Sequence, residues 1–192
     1  MFRYGRSTFF VADSSETTGL KWQAPTGATT SFTAINSGGT ALTGATTITV
    51  SGFSGYNTLY IFVAGASSAN ASSNINLRLN TDTNAKYCQF GFQIVAGSNG
   101  NINSGNIDIN TSFAGTRMGD SVTNTAASTF TVLGANSTSP KMLFHGGGGN
   151  GASTNAGNVN GGVYTGSSAI TSISIVSSTG DFDAGTVFVY GA

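Results

Sequence analysis

Charged residues are scarce in this sequence, and their scarcity excludes several functional classes. They make up 7% of the 192 residues, with seven basic residues balancing seven acidic ones, against about 25% in an ordinary soluble domain. A chain with no net charge and no basic cluster lacks the electrostatic attraction on which nucleic-acid binding depends. No apolar run approaches the roughly 20 residues that cross a bilayer. We therefore expect neither a nucleic-acid nor a membrane partner.

Residues that perform chemistry are also rare. The single cysteine, Cys88, permits no intramolecular disulfide and no cysteine-based metal site, and we interpret it as a small buried side chain on a strand. The single histidine, His145, has neither a nearby carboxylate nor a serine in a nucleophile elbow, so we interpret it as a structural residue at a strand end. We predict no catalytic residue, no metal site and no cofactor.

One close pair of carboxylates, Asp181 and Asp183, stands out from this background. At strand spacing the two would share one face, which a glycoside hydrolase could use. They lie, however, in a stretch of Ser, Thr, Gly and Asp between two apolar segments, and this composition is typical of a turn. Turn capping is therefore the favoured interpretation, ahead of a weak calcium site and of hydrolysis.

Small polar residues are what the sequence has in abundance. Gly (28), Thr (27), Ser (25) and Asn (18) make up about half of the chain. Short segments that alternate polar and apolar residues are bounded by Gly, Ser, Asn or Asp, which favours strands joined by turns. The predicted strands are 46–50, 59–64, 74–80, 87–95, 106–110, 129–133, 141–145, 170–176 and 186–190. We predict an all-β fold, an antiparallel β-sandwich of jelly-roll type with an extended N-terminal arm.

Two regions differ from the alternating body. Residues 1–40 hold aromatic and basic side chains followed by a Thr/Ser/Gly spacer, so we predict an attachment arm there and a β-sandwich domain over 41–192. The arm residues interpreted as partner contacts are Arg3, Arg6, Phe9, Phe10 and Trp22. The glycine-rich stretch Gly146–Gly162 has almost no side chain that could anchor a core, which predicts a long exposed loop.

The uncharged composition favours contacts between proteins over catalysis. Low charge lets like subunits meet without repulsion, and hydroxyl and amide groups can form hydrogen bonds over a large area. Exposed tyrosines can also stack on sugars, and Tyr56 and Tyr164 are the residues that we interpret as possible glycan contacts.

Several stretches resemble bacteriophage tail-fibre and appendage proteins, notably those of cyanophages. Residues 11–25 read VADSSETTGLKWQAP, similar to a segment that recurs in those proteins. Residues 48–61 resemble the strand pair that follows it, 77–87 resemble an element of the type RxNxDxxxxY, and 184–191 resemble the closing strand. The resemblance implies a virion structural protein with a β-sandwich domain, commonly trimeric, and brings no catalytic residues with it.

The expected function follows from this resemblance. Because only ten residues precede the first motif, we expect a capsid decoration or knob-like appendage protein and not a fibre. Its arm would attach to another virion protein, either the major capsid protein or a tail or fibre protein, and the chain would form a homotrimer. The N-terminus has no apolar segment of signal-peptide type, so we expect assembly into the virion in the host cytoplasm. The alternative is a receptor-binding fibre head or tip that recognises host-surface glycan.

Overall fold

A computed structural model describes residues 9–12, 20–23, 31–70, 73–95, 102–118, 124–150 and 155–192. Within these ranges the regular structure consists of β-strands alone, and no helix has the length and hydropathy that a bilayer crossing requires. The strands are β1 (Phe9–Ala12), β2 (Leu20–Gln23), β3 (Thr33–Ala34), β4 (Thr40–Ala41), β5 (Thr47–Ser51), β6 (Thr58–Ser68), β7 (Asn74–Leu79), β8 (Tyr87–Val95), β9 (Ile102–Asn110), β10 (Phe113–Arg117), β11 (Ala126–Leu133), β12 (Lys141–Asn150), β13 (Asn155–Tyr164), β14 (Ser172–Ser177) and β15 (Phe182–Gly191).

The chain divides into two compact units, Met1–Ser31 and Phe32–Ala192. Residues 32–40, which the sequence suggests as spacer, therefore belong to the second unit. Asn36 ties this segment to β15, because its Nδ2 donates a hydrogen bond to Val187 O (2.9 Å) and its Oδ1 accepts one from Val189 N (2.7 Å). The sandwich thus begins before residue 41.

The second unit is a sandwich of two antiparallel sheets. One sheet has the order β10-β7-β14-β5, and the other has the order β3-β15-β6-β11-β12-β13-β8-β9, with β4 also paired to β15. The predicted all-β, antiparallel sandwich is confirmed.

The strand order is that of a jelly roll with added strands. When β5 to β11 and β14 are counted as its eight strands, one sheet holds the first, eighth, third and sixth, and the other holds the second, seventh, fourth and fifth. The β12–β13 pair lies between the seventh and fourth strands, and β15 is added beside the second. The second sheet is consequently much wider than the first, and it curls into a half-barrel.

The hydrophobic core lies between the sheets and is built by alternation along the strands. On β7 the three apolar residues Ile75, Leu77 and Leu79 are fully buried, while the polar residues between them are partly exposed. Because successive side chains of a strand point to opposite faces, each such strand buries one apolar row. The largest fully buried apolar or aromatic side chains are Tyr87, Phe113, Phe130, Phe182, Leu42, Leu59, Ile61, Ile75, Leu77, Leu79 and Met118.

The glycine-rich stretch Gly146–Gly162 contains half of β12 and most of β13, so the prediction of a long loop there is wrong. The two strands pair continuously from Lys141 opposite Tyr164 to Asn150 opposite Asn155. Glycine is required on their inward side because β10 lies close to them. A Cβ at Gly162 would lie 2.9 Å from Phe113 Cε2, and one at Gly149 would collide with the Arg117 carbonyl oxygen.

Candidate interaction surface

The predicted attachment residues fall in the first unit. Phe9 and Phe10 lie on β1 and Trp22 lies on β2, and the antiparallel register places Phe10 opposite Trp22. Of these three residues the structure describes the backbone. Arg3 and Arg6 lie outside the described residues. The attachment role of all five residues stays a prediction.

Of the two tyrosines predicted to contact glycan, Tyr164 is in the core. Its ring is 3% exposed and lies 4.8 Å from the ring of Tyr87, and its hydroxyl donates a hydrogen bond to Asp82 Oδ2 (2.7 Å). The interpretation of Tyr164 as an exposed sugar platform is wrong, because neither face of the ring is open to solvent. Tyr56 is half-buried against the core, with its ring over Gly191.

The Tyr164 hydroxyl belongs to a charged network that holds the turn between β7 and β8. Burial by itself would raise the pKa of the Asp82 carboxyl. Hydrogen bonds from the Asn84 amide, Lys86 and Tyr164 lower the pKa by more than burial raises it, so it lies below its usual value. Lys86 Nζ lies 2.9 Å from Asp82 Oδ2. Burial, followed by the bond to Asp82, raises the pKa of Tyr164. Because the carboxylate has these partners within the fold, the cluster acts as a structural clamp.

The single cysteine and the single histidine both differ from the sequence interpretation. Cys88 is exposed on β8, because its neighbours Tyr87 and Gln89 are the residues that face inward. His145 lies within β12 and not at its end, and it is 4% exposed. Its Nε2 lies 2.8 Å from Ser128 Oγ, while its Nδ1 has no hydrogen-bond partner among the described residues. Burial lowers its pKa to about 4, so the imidazole is neutral at pH 7.

The carboxylate pair flanks a buried residue at the start of β15. Asp181 and Asp183 are exposed on either side of Phe182, and the Ser67 hydroxyl donates a hydrogen bond to Asp183 Oδ1. Within the described part of the chain no three His, Cys, Asp or Glu side chains come together in a group that could hold a metal ion.

The outward side of β8, β12 and β13 is strongly apolar. Its outward positions in the described ranges carry no charged side chain, and six large apolar side chains are exposed there. We call these six residues the apolar face: Phe90 (66% exposed), Phe92 (52%), Ile94 (53%), Met142 (52%), Phe144 (44%) and Val159 (59%). Larger exposed apolar patches on folded proteins often serve as interaction sites, so the apolar face is the candidate site.

The inward side of the same three strands is apolar at Tyr87, Leu143 and Tyr164 but polar over much of its remaining length, which reverses the usual pattern there. An antiparallel sheet normally turns its apolar side chains toward the core and its polar ones toward water. Here β8, β12 and β13 turn toward the other sheet the side chains of Gln89, Gln93, Lys141, His145, Asn158 and Asn160. The alternation is intact, but it points the wrong way for an isolated sandwich.

Three of the inward polar side chains, Gln89, Asn158 and Asn160, have hydrogen-bond partners on the edge strand β10. Gln89 Oε1 accepts a hydrogen bond from Ala114 N (2.6 Å), and Asn160 Nδ2 donates one to Ala114 O (2.9 Å). Thr116 Oγ1 donates to Asn158 Oδ1 (3.1 Å). Side-chain amides thus pair with the free edge of β10 as another strand would, and buried polar groups that are paired in this way carry little penalty.

Lys141 is the most deeply buried of the inward polar residues. Its side chain is fully buried, and its Nζ donates hydrogen bonds to Gly166 O (2.7 Å) and Ser168 O (2.8 Å). Burial lowers the pKa of this amine. Lys141 therefore supports the segment that follows β13, while the next residue on the strand, Met142, faces outward.

A hollow lined by glycine lies beside the apolar face. Gly146 and Gly148 on β12 and Gly157 on β13 occupy outward positions, in register with Phe92 and Ile94 on β8. The nearest atom to a Cβ added at Gly157 would be 3.9 Å away, and at Gly146 it would be 3.8 Å away. The surface therefore has protruding side chains next to an open depression.

Comparison of the chain with protein-family models, with curated proteins and with solved structures finds no match. The apolar face is the functional feature that the sequence analysis missed. The sequence signal for this face is the segment in which Phe90, Phe92 and Ile94 alternate with Gln89 and Gln93. Three large apolar side chains on one side of the strand are more than an ordinary amphipathic strand needs.

Proposed function

We propose that this chain is a bacteriophage virion structural protein, a capsid decoration or knob-like appendage protein. It attaches to another virion protein through its N-terminal arm and assembles as a homotrimer. The observation that carries the proposal is the apolar face, because a side of a sheet that is apolar and free of charge is suited to contact with protein. The resemblance of residues 11–25 to phage appendage proteins and the jelly-roll order, which viral capsid and lectin domains share, support the same function.

The size of the apolar face supports a role in assembly. With about 200 Å² for a fully exposed aromatic side chain, the six side chains expose roughly 600 Å² between them. The largest apolar patch on a typical monomer measures about 300–600 Å². The centre of a protein–protein interface is depleted in charged residues and enriched in Phe, Tyr and Met, which is the composition found here.

The copy number of this chain in purified particles tests the proposal. Quantitative mass spectrometry against the major capsid protein measures it directly. A copy number tied to the capsid lattice would support decoration. A few copies that match tail or fibre symmetry would support an appendage and favour the glycan-binding alternative. Absence from particles would overturn the proposal.

The attachment role of the arm has its own test. The full-length chain with Phe10→Ser and Trp22→Ser should be incorporated into particles at a lower copy number than the unaltered chain, because buried aromatic anchors carry much of the binding energy of an interface. Phe32→Ser, which lies outside the first unit, is the control. Equal incorporation of the arm variant and the control would remove the arm from the proposal.

A further inference from the structure

We propose that the apolar face is the contact between copies of this chain, with Phe92 and Ile94 of one copy seated in the glycine hollow of the next. The inference rests on the proposed function, from which it takes the number of copies, three. It adds that the partner of the apolar face is a second copy of the chain. Three observations support it: the charge, the shape and the area of the face.

The absence of charge selects a partner with the same chemistry. A charged side chain brought against this face would lose its hydration and would find no counter-charge there, which is costly. The same face of a second copy brings none, because the outward positions of β8, β12 and β13 in the described ranges are uncharged in every copy. Two copies can therefore bury these faces together with no desolvated charge.

The shape of the face is complementary to itself. Phe92 and Ile94 protrude on β8, and the uncrowded positions at Gly157 and Gly146, with the exposed Gly148 on the same strand as Gly146, lie one and two strands away. A fourth outward glycine, Gly161, is already covered, because a Cβ there would lie 3.2 Å from Phe90 Cζ. Among the described residues, no side chain of the same copy fills the rest of the hollow.

The protrusion and the hollow lie on neighbouring strands of one face, which is compatible with a two-fold pair as well as with a closed ring, and the trimer of the proposed function selects the ring. In a head-to-tail arrangement each copy offers its protruding side chains to one neighbour and its hollow to the other, and the ring closes when the rotation is one third of a turn. Large side chains packed against glycine also bring the two backbones close together, which increases the dispersion contacts.

The area is adequate for a specific contact. A standard interface buries about 800 Å² on each partner. The roughly 600 Å² exposed by the six side chains is about three quarters of this area, and the glycine hollow is not added because it belongs to the contact with the other neighbour.

The experiment measures the molar mass of the recombinant full-length chain by sedimentation equilibrium over a concentration series. We expect the mass of three 19.3 kDa chains for the unaltered protein. Phe92→Thr removes a protruding side chain and should raise the dissociation constant about 30-fold or more, as the truncation of a central anchor does. Gly157→Val fills the hollow and should have the same effect.

The two variants separate loss of contact from loss of folding. A Cβ at Gly157 would have its nearest neighbour, Gly147 O, at 3.9 Å, and valine favours a strand more than glycine does, so Gly157→Val should melt at or above the temperature of the unaltered chain when both are compared at a concentration where both are monomeric. The matched control is Phe32→Thr, the same substitution at equal exposure (53%, against 52% for Phe92). Since β3 and β8 lie far apart in the sheet order, the control should keep the parent mass.

Reaction of Cys88 with a maleimide gives a second readout. Cys88 is the single cysteine of the chain and is exposed beside Met142 and Phe90 on the outward side. Contact between copies should slow its labelling, so Phe92→Thr should be labelled faster than the unaltered chain at equal concentration. Equal labelling rates would contradict the inference.

Each mass outcome has a defined meaning. An unaltered chain that is monomeric at about 100 µM, well above the micromolar dissociation constants at the weak end for standard-size interfaces, would overturn the inference. So would a trimer that neither substitution dissociates. A dimer that both substitutions dissociate would support contact through this face and would overturn the trimer of the proposed function. The copy number in particles tests the virion role separately.

Discussion

The outer faces of the two sheets differ in chemistry although both belong to the same sandwich. The four-stranded sheet presents hydroxyl, amide and guanidinium groups that pair with one another: Thr49 Oγ1 lies 2.8 Å from Ser174 Oγ, and Arg78 Nε donates a hydrogen bond to Thr111 O (3.2 Å). The wide sheet presents the apolar face. The topology imposes neither choice, and a protein contact on the wide sheet, as proposed above, would account for the difference.

The inner faces differ in the opposite sense. The four-stranded sheet buries Ile75, Leu77 and Leu79, whereas β8 and β13 bury amides such as Gln89 and pair them with β10. Within one sandwich, then, an apolar row faces the core in one sheet and the surface in part of the other. Alternation shows that a strand has two faces, but it does not show which face is inside.

The largest expected difference in stability is between two glycine-to-alanine substitutions on β13, one at an inward position and one at an outward position. Gly162→Ala puts a methyl group against Phe113 and the Cys88 carbonyl, so the sheets must separate, at a cost of about 3 kcal/mol. Gly157→Ala on the outward side meets open space and should change stability by less than about 0.5 kcal/mol. Urea denaturation of both variants measures the difference. Similar losses in the two variants would contradict the assignment of inward and outward faces.

A smaller effect, which depends on pH, tests the polar inner face of the wide sheet. The pKa of His145 falls from 6.5 in the unfolded chain to about 4 in the folded one. Between these values the unfolded state binds a proton that the folded state does not, so stability falls as the pH drops from about 6.5 to 4. The loss is about 3 kcal/mol at most.

Denaturation midpoints at a series of pH values measure this loss. Because His145 is the single histidine, His145→Gln should flatten the curve over the same interval. Asp82, whose pKa is lowered, contributes stability that is lost only below its unfolded value, near pH 4 and lower. A parent protein whose stability is constant from pH 6.5 to 4 would show that the imidazole is accessible to protons in the folded state.

We expect the smallest change in stability from a substitution on the polar outer face of the four-stranded sheet. Thr49→Val removes the hydroxyl that pairs with Ser174, whose side chain is fully buried, and leaves that group unpaired at a cost of about 1 kcal/mol. Thr47→Val, on the same strand and exposed, should be nearly neutral. Chemical denaturation of both, with Ser174→Ala to close a double-mutant cycle, isolates the pair. A coupling energy near zero would contradict the proposed hydroxyl pairing.

The sequence was sufficient to predict the fold class and most of the strands. Alternation bounded by turn residues predicted nine strands, from 46–50 to 186–190, and each corresponds to a strand of the structure. Strand β13 was missed because its residues, NAGNVNGGVY, include few of the β-branched and aromatic types that mark a strand. It is a strand because its neighbours pair with both of its edges, which is a tertiary effect.

The candidate site was harder to predict for a related reason. Cys88 and Tyr164 were each assigned to the wrong environment, one as buried and the other as exposed. Both assignments depend on which side of β8 or β13 faces the other sheet, and on that side Tyr87 and Tyr164 enter the core while Gln89 and Asn160 form hydrogen bonds to β10. These partners are distant in sequence, so no local pattern could identify them.

The positions of β14 and β15 in the two sheets also determine when each sheet can be completed during synthesis. In the finished fold β14 lies between β5 and β7, and β15 lies between β6 and the short strands β3 and β4, so each sheet needs a strand from the end of the chain. During synthesis neither sheet can close until these residues leave the ribosome, and pairings between such distant segments form slowly. Until then β5, β6 and β7 present unpaired edges, which can pair wrongly with other chains. A chain truncated or paused before β14 is therefore more prone to aggregation than the finished protein.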